Sequence, residues 1–193
     1  KAAIDDAKKD ADVTTAKNNG VEKINNINVP DTSATKEAAK NAIDQAAKTK
    51  NDAIDGSNLT DEEKAGLHQQ VTDEVNKAKA AIDDAKKDAD VTTAKNNGVE
   101  KINNINVPDT SATKDAAKKA IDEAAKTKDA AIDNSSLTAE EKDALKKTVA
   151  GEVQTAKDKI DAATKDADVK TAQSDGEKAI NNVNVPDTSA TKD

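Results

Sequence analysis

The chain reads as an all-α protein built of tandem antiparallel three-helix bundles, arranged head to tail as an elongated rod. Three observations lead there. The sequence repeats every 78 residues, and residues 1–36 recur without a change at 79–114. Within each period, apolar residues fall three and four apart, as on one face of an α-helix, and no strand-like alternation competes. Proline marks each period once, at Pro30, Pro108 and Pro186. A fixed period of this length is the signature of an array of small units.

The copy from Asp31 to Pro108 shows the elements in order. A first helix is expected from about Thr35 to Asp55, on a stripe of Ala38, Ala39, Ala42, Ile43, Ala46, Ala47, Ala53 and Ile54. Asp31, Thr32 and Ser33 offer N-caps, and Gly56-Ser57-Asn58 offers a stop. A second helix opens on Thr60-Asp61-Glu62-Glu63, a capping box in which the Thr hydroxyl and the Glu carboxylate each satisfy a free N–H. Thr138-Ala139-Glu140-Glu141 repeats it. Its stripe is Leu67, Val71, Val75, Ala78, Ile82 and Ala85, and it should end near Lys87. A third helix is expected to begin at Asp88 or Asp90 as N-cap. It carries Val91, Ala94, Gly98, Ile102 and Ile105, and ends at Val107-Pro108, because the residue before proline avoids the α region.

A helix of about 22 residues is about 33 Å long. An odd number of antiparallel helices puts the two termini of a bundle at opposite ends, so each repeat would lengthen the rod by roughly one helix. The domains expected are a partial repeat at 1–30 (the end of helix two plus helix three), complete repeats at 31–108 and 109–186, and the start of another at 187–193.

Comparing copies tests this. Residues 31–108 and 109–186 agree at 49 of 78 positions. Ile43, Ile54, Leu59, Leu67, Val71, Val75, Ile82, Val91, Ala94, Gly98 and Ile102 all keep their identity 78 residues on, while Asn41, Gln69, Ala81 and Val99 become Lys119, Lys147, Lys159 and Glu177. A disordered chain, which 29 Leu, Ile and Val in 193 residues would permit, has no reason to hold the stripe while the polar face drifts. The core is thin, so an isolated repeat should be of low stability and gain support where its ends touch neighbours. Gly98 and Gly176, in mid-helix, imply a close helix approach or a bend.

Composition narrows the function. There is no Cys, Phe, Tyr, Trp or Met, and the net charge is -8. That excludes disulfides and thiolate chemistry. With no basic patch and no aromatic to stack on a base, nucleic acid is not an expected partner. No apolar run is long enough to insert in a membrane, and no signal peptide is visible. The absence of Met points to an internal fragment, and the absence of Cys suits an extracellular setting. The single histidine, His68, faces Lys146 in the next copy, so it reads as an exposed helix residue and not as a ligand or base. Asp83-Asp84 and Asp88-Ala89-Asp90 do not form a calcium loop. Asn58-Leu59-Thr60 and Asn134-Ser135-Ser136 match the N-glycosylation pattern, but turn chemistry accounts for them. Val-Pro-Asp-Thr-Ser, beginning at 29, 107 and 185, reads as a link between bundles. No catalytic residue, cofactor or metal is expected, and the chain does not read as an enzyme.

The combination Leu59-Thr60-x-Glu62-Glu63-Lys64, Val75-x-x-Ala78-Lys79-x-x-Ile82 and Ala89-Asp90-Val91-x-x-Ala94-Lys95-x-x-Gly98-x-x-x-Ile102-Asn103-x-Ile105 resembles the helical domain-of-unknown-function repeats of Gram-positive cell-wall-anchored surface adhesins. The giant staphylococcal extracellular-matrix-binding protein belongs to that group. The third helix is also similar to albumin-binding three-helix modules, although it lacks their aromatic or exposed apolar contact residues. The resemblance implies a secreted protein on the bacterial cell wall surface, whose repeats form a stalk carrying an adhesive domain away from the cell.

Two functions are therefore expected. The first is a structural spacer, monomeric in itself, in which length changes by duplicating a unit. The second is a multivalent module that binds a host matrix or plasma protein through a helix face, with avidity from repetition. Its candidate contacts are Asn103, Asn104 and Asn106, with Asn181, Asn182 and Asn184 in the next copy.

Overall fold

A computed structural model of the chain describes residues 1–29 and 33–191. Pro30 and the caps expected at Asp31 and Thr32 lie outside the described residues, as do the last two residues of the segment at 187–193. The described residues form two compact units, Lys1–Ala38 and Ala39–Asp193.

The first unit holds α1 (Ala2–Asp5) and α2 (Asp10–Asn25), packed on each other. Neither helix buries a residue. Val21, Ile24, Ile27 and Val29 are all at least half exposed.

The second unit contains most of α3 (Ala34–Asp55), then α4 (Asp61–Asp84) and α5 (Asp88–Asn103), followed by α6 (Ala112–Asp133), α7 (Ala139–Ala162) and α8 (Asp166–Asn181). Each triplet is a three-helix bundle. The first closes over Ala39, Ile43, Ala78, Ile82, Val91 and Ile102, with Ala47, Ile54 and Val71 nearer one end. The second closes over the same positions one period on, including Ile121, Ile132, Val149, Ile160, Val169 and Ile180. Of the stripes read from spacing, Ala39, Ile43, Ala47, Ile54, Val71, Ala78, Ile82, Val91 and Ile102 are buried, whereas Ala38 and Ala53 are exposed.

Helices α2 and α5 have the same sequence and span the same 16 residues. Yet Ile24 in α2 is 67% exposed and its counterpart Ile102 in α5 is 0% exposed. The helix is written locally; its burial depends on partners from elsewhere in the chain.

Glycine 98 marks the closest approach of helices. A Cβ at this position would lie 2.5 Å from the Cβ of Ala78 on α4 and 2.7 Å from Cδ1 of Ile43 on α3. Gly176 meets Ala156 and Ile121 in the same way. The close-approach expectation holds.

Several helix ends differ from expectation. Helix α3 starts at Ala34, with Ser33 Oγ accepting the Lys36 N–H at 3.3 Å. Helix α4 stops at Asp84, short of Lys87, because Ala85 is extended. Helix α5 begins with Asp88 already helical, Lys87 extended at the cap position and no side-chain cap bond. Asp88 and Asp90 thus lie inside the first turn, where a carboxylate favours the helix dipole without capping it. Helix α5 ends at Asn103, before Val107-Pro108. The Lys50 ammonium of α3 donates to the carbonyls of Asn103 (2.9 Å) and Ile105 (2.7 Å), and so satisfies its last turn. Lys128 does the same for Asn181 and Val183.

His68 is half-buried, not simply exposed. Its ring nitrogens lie 2.8 Å from Asn51 Oδ1 and 2.9 Å from Asp55 Oδ1, both on α3. One period on, Lys146 pairs with Asp133 at 2.6 Å, the counterpart of Asp55. A second-helix side chain reaching the aspartate at the end of the first helix is the shared feature. We expect His68→Lys to leave stability within about 0.5 kcal/mol of the parent, as for a partly exposed pair. Thermal unfolding followed by circular dichroism measures this; a loss several times larger would mean that the Asn51 contact matters more than the pair.

Candidate functional site at the joint between bundles

The position where chain-specific polar chemistry concentrates is the contact between the two bundles of the second unit. It is built from the start of α4 on one side and from the start of α6 and the α7–α8 turn on the other. The local sequence explains each part. Thr60 is extended and fully buried, and it caps α4. Its hydroxyl accepts the Glu63 N–H at 3.3 Å, and its own N–H donates to Glu63 Oε2 at 3.0 Å, the reciprocal pair read from the sequence.

Glu63 has a second oxygen, and it crosses the joint. Thr113 N–H, in the first turn of α6, donates to Glu63 Oε1 at 3.1 Å. One carboxylate thus serves the free N–H groups of two helix starts in different bundles. Its neighbour Glu62 accepts the N–H of Asp166, the first residue of α8, at 3.0 Å. The Asp61 N–H donates to the Thr164 carbonyl at 2.8 Å. Ser111, almost fully buried, caps α6 by accepting the Lys114 N–H at 3.1 Å. Lys114 in turn donates to the Asp161 carbonyl at the end of α7. The contacts of Glu63, Glu62 and Asp61 join the α3–α4 end of the first bundle to the α7–α8 end of the second, a head-to-tail order, while those of Ser111 and Lys114 tie α6 within its own bundle.

Electrostatics follow the geometry. Burial pushes the Glu63 carboxyl up, but the N–H groups of Thr60 and Thr113 and the hydroxyls of Ser111 and Thr113 outweigh it and hold the group below the ordinary glutamate value. Glu141, one period later, is also lowered: first by the Thr138 N–H, then by the Ser189 hydroxyl, with the Ala190 N–H adding to them. The same device recurs there. Thr138 and Glu141 complete a capping box, Ser189 is nearly fully buried like Ser111, and Ser136 Oγ donates to the Asp187 carbonyl at 2.7 Å.

The asparagines proposed as contacts lie elsewhere. Asn103 and Asn181 are the last residues of α5 and α8, Asn104 and Asn182 follow as C-caps, and Asn106 and Asn184 lie just beyond. All six are exposed. Asn103 and Asn104 line an open groove of about 970 Å³ between α3 and α5, floored by Ala42, Ala46 and Val99. In the second bundle Val99 is replaced by Glu177, which accepts a 2.8 Å hydrogen bond from Gln173, the counterpart of Lys95. The floor of the groove is not preserved from copy to copy, whereas the capping glutamate with its serine partner is, at Glu63 with Ser111 and at Glu141 with Ser189.

Sequence reasoning identified the capping boxes but not their second use. The signal was present: Lys50, Glu62, Glu63 and Lys114 keep their identity across copies although none is apolar. Among the described residues, no group of three or more His, Cys, Asp or Glu could hold a metal ion. No helix among them is long and apolar enough to cross a membrane.

The fold and the joint define a class, a tandem array of three-helix units coupled end to end. The family described as Domain of Unknown Function (DUF1542) matches residues 35–110 and 113–188, and the chain belongs to that family. No curated protein and no solved structure shows a match to it.

Proposed function

We propose that these repeats are the spacer of a bacterial surface adhesin, a stalk outside the cell that holds an adhesive domain away from the wall. The repeat frames are 31–108 and 109–186, with partial repeats at 1–30 and 187–193. The observation that carries this reading is the joint. Copies that differ at many surface positions keep the residues that couple one bundle to the next, as a unit of length requires. The resemblance to wall-anchored adhesin repeats supports this cellular setting, and membership of the family is consistent with it. Binding of a host matrix or plasma protein through the asparagine-lined face has less support, because the groove beside it changes character between copies.

Small-angle X-ray scattering on chains lengthened one repeat at a time is the test. The maximum dimension should grow by about 33 Å per added repeat, one helix length. Growth of a compact globule, much smaller per repeat, would overturn the spacer. Saturable binding of a plasma or matrix protein to the isolated repeats would favour the binding module instead.

A further inference from the structure

The chain contains two Asp-Gly pairs, Asp55-Gly56 at the end of α3 and Asp175-Gly176 inside α8. We propose that Asp55 is a site of spontaneous isomerisation to isoaspartate and that Asp175 is protected from it by its bundle.

The chemistry needs only the chain and water. The glycine nitrogen attacks the side-chain carboxyl carbon of the preceding aspartate, in its protonated form. A C–N bond forms, and one carboxyl oxygen leaves as water, taking the amide proton. Water then opens the cyclic imide. Breaking the bond to the side-chain carbonyl restores aspartate. Breaking the bond to the main-chain carbonyl leaves isoaspartate, with the backbone rerouted through the side chain. Glycine makes the attack easiest because no Cβ obstructs the nitrogen and the backbone is free to turn. An intact α-helix opposes it. The amide of residue i donates to the carbonyl of residue i−4, and helical dihedrals hold the nitrogen away from the preceding side chain. The rate therefore follows how readily the glycine amide leaves the ladder.

Exposure of the carboxylates does not separate the two sites, since the side chains are 68% and 61% exposed. The backbone does. Gly56 is exposed in the turn just beyond α3, and its N–H donates to the Asp52 carbonyl at 3.1 Å, in the terminal turn of the helix. Terminal turns open at little cost in free energy. Gly176 is buried within α8, and a Cβ there would collide with Ala156 and Ile121. Freeing its amide means parting α8 from the core of its bundle. Asp133-Asn134 completes the comparison. It occupies the same place at the end of α6, with the Asn134 N–H on the Ala130 carbonyl at 3.0 Å, but the attacking residue carries a side chain. Of the three sites, Asp55-Gly56 alone combines the helix end with glycine. The product would also be felt. Fully buried Ile54 precedes it, and Leu59 and Thr60, which lead into the joint, follow it. Isoaspartate inserts a carbon into the backbone between them and removes the carboxylate that His68 Nε2 meets at 2.9 Å.

The test is ageing of the full chain in mildly acidic buffer, followed by cleavage after lysine and mass spectrometry. The three sites fall in residues 51–64, 129–142 and 171–178, which differ in sequence. Isomerisation leaves the mass unchanged, so it is read as a second chromatographic form located by fragmentation. In native buffer, Asp55 should isomerise at least about tenfold faster than Asp175, the ratio expected for a modest difference in local opening free energy. It should also outpace Asp133. In denaturant the rates at Asp55 and Asp175 should converge, while Asp133 stays slow. Gly56→Ala, whose Cβ would make only ordinary contacts, should slow the reaction at Asp55. Equal native rates at Asp55 and Asp175, or a native difference between them that persists in denaturant, would overturn the proposal.

Discussion

Substituting Gly98 by alanine should destabilise the first bundle, while the same change at Gly66 should stabilise it. Both glycines are helical, and on helix propensity alone both substitutions would gain up to about 1 kcal/mol. Space decides the sign. At Gly66 nothing lies within 4 Å of the added carbon. At Gly98 the new Cβ would meet the Ala78 Cβ at 2.5 Å and Ile43 Cδ1 at 2.7 Å. The isoleucine tip can rotate aside. The alanine carbon moves only with its backbone, so α4 and α5 must separate. Overpacking of this kind costs about 1–3 kcal/mol, more than the propensity gain in most of that range.

Because the chain has no aromatic residue, far-UV circular dichroism in urea is the appropriate measurement. Two controls make it specific. Gly20→Ala, in the same local sequence with open space around it, should not destabilise. The swap Ala78→Gly with Gly98→Ala returns one Cβ to the interface, and its two costs should fall short of additive, as for residues in contact. A Gly98→Ala chain as stable as Gly66→Ala would mean that the helices do not approach this closely.

The glycine also shows what was readable in advance. Its position in mid-helix, kept in every copy, announced a close approach or a bend, and the apolar stripe announced the core. Both are local facts, set by the 3.6-residue period and by propensity. The capping boxes were readable for the same reason: Thr60 and Glu63 are three residues apart. The joint was not, because Glu63 is 50 residues from Thr113 and Glu62 is 104 from Asp166. Nothing in local spacing pairs them. The early end of α5 differs in kind. The proline rule sets an outer limit, and the actual stop is local, since α2 ends at the equivalent Asn25; what spacing does not show is that Lys50 of another helix satisfies the carbonyls freed at the end of α5. Residues 1–29 make the point most directly, since sequence identity with 79–107 gave the same helix and a different burial.

Replacing Glu63 should weaken the coupling between bundles as well as the start of α4. In Glu63→Ala both the Thr60 N–H, on a fully buried residue, and the Thr113 N–H lose an acceptor. An unsatisfied buried donor costs about 1–3 kcal/mol, and loss of a cap about 0.5–2 kcal/mol, so a total near 2–3 kcal/mol is expected. Glu63→Gln separates the charge from the shape and reveals a pH dependence. The folded-state carboxyl is held below the ordinary value of 4.5. Its contribution is therefore fully present above that value and is lost as pH falls through the lower folded-state value. The neutral amide has no such titration. Other carboxylates titrate in the same acid range, so the difference between parent and Glu63→Gln is the informative quantity. That difference should be largest at neutral pH and shrink on acidification. In urea, the parent at neutral pH should unfold with its two bundles coupled, as expected for repeats that share an interface. Glu63→Ala should split or broaden the transition. A uniform shift with an unchanged slope would assign Glu63 to the α4 cap alone, and the joint would then have to rest on Glu62 and Asp61.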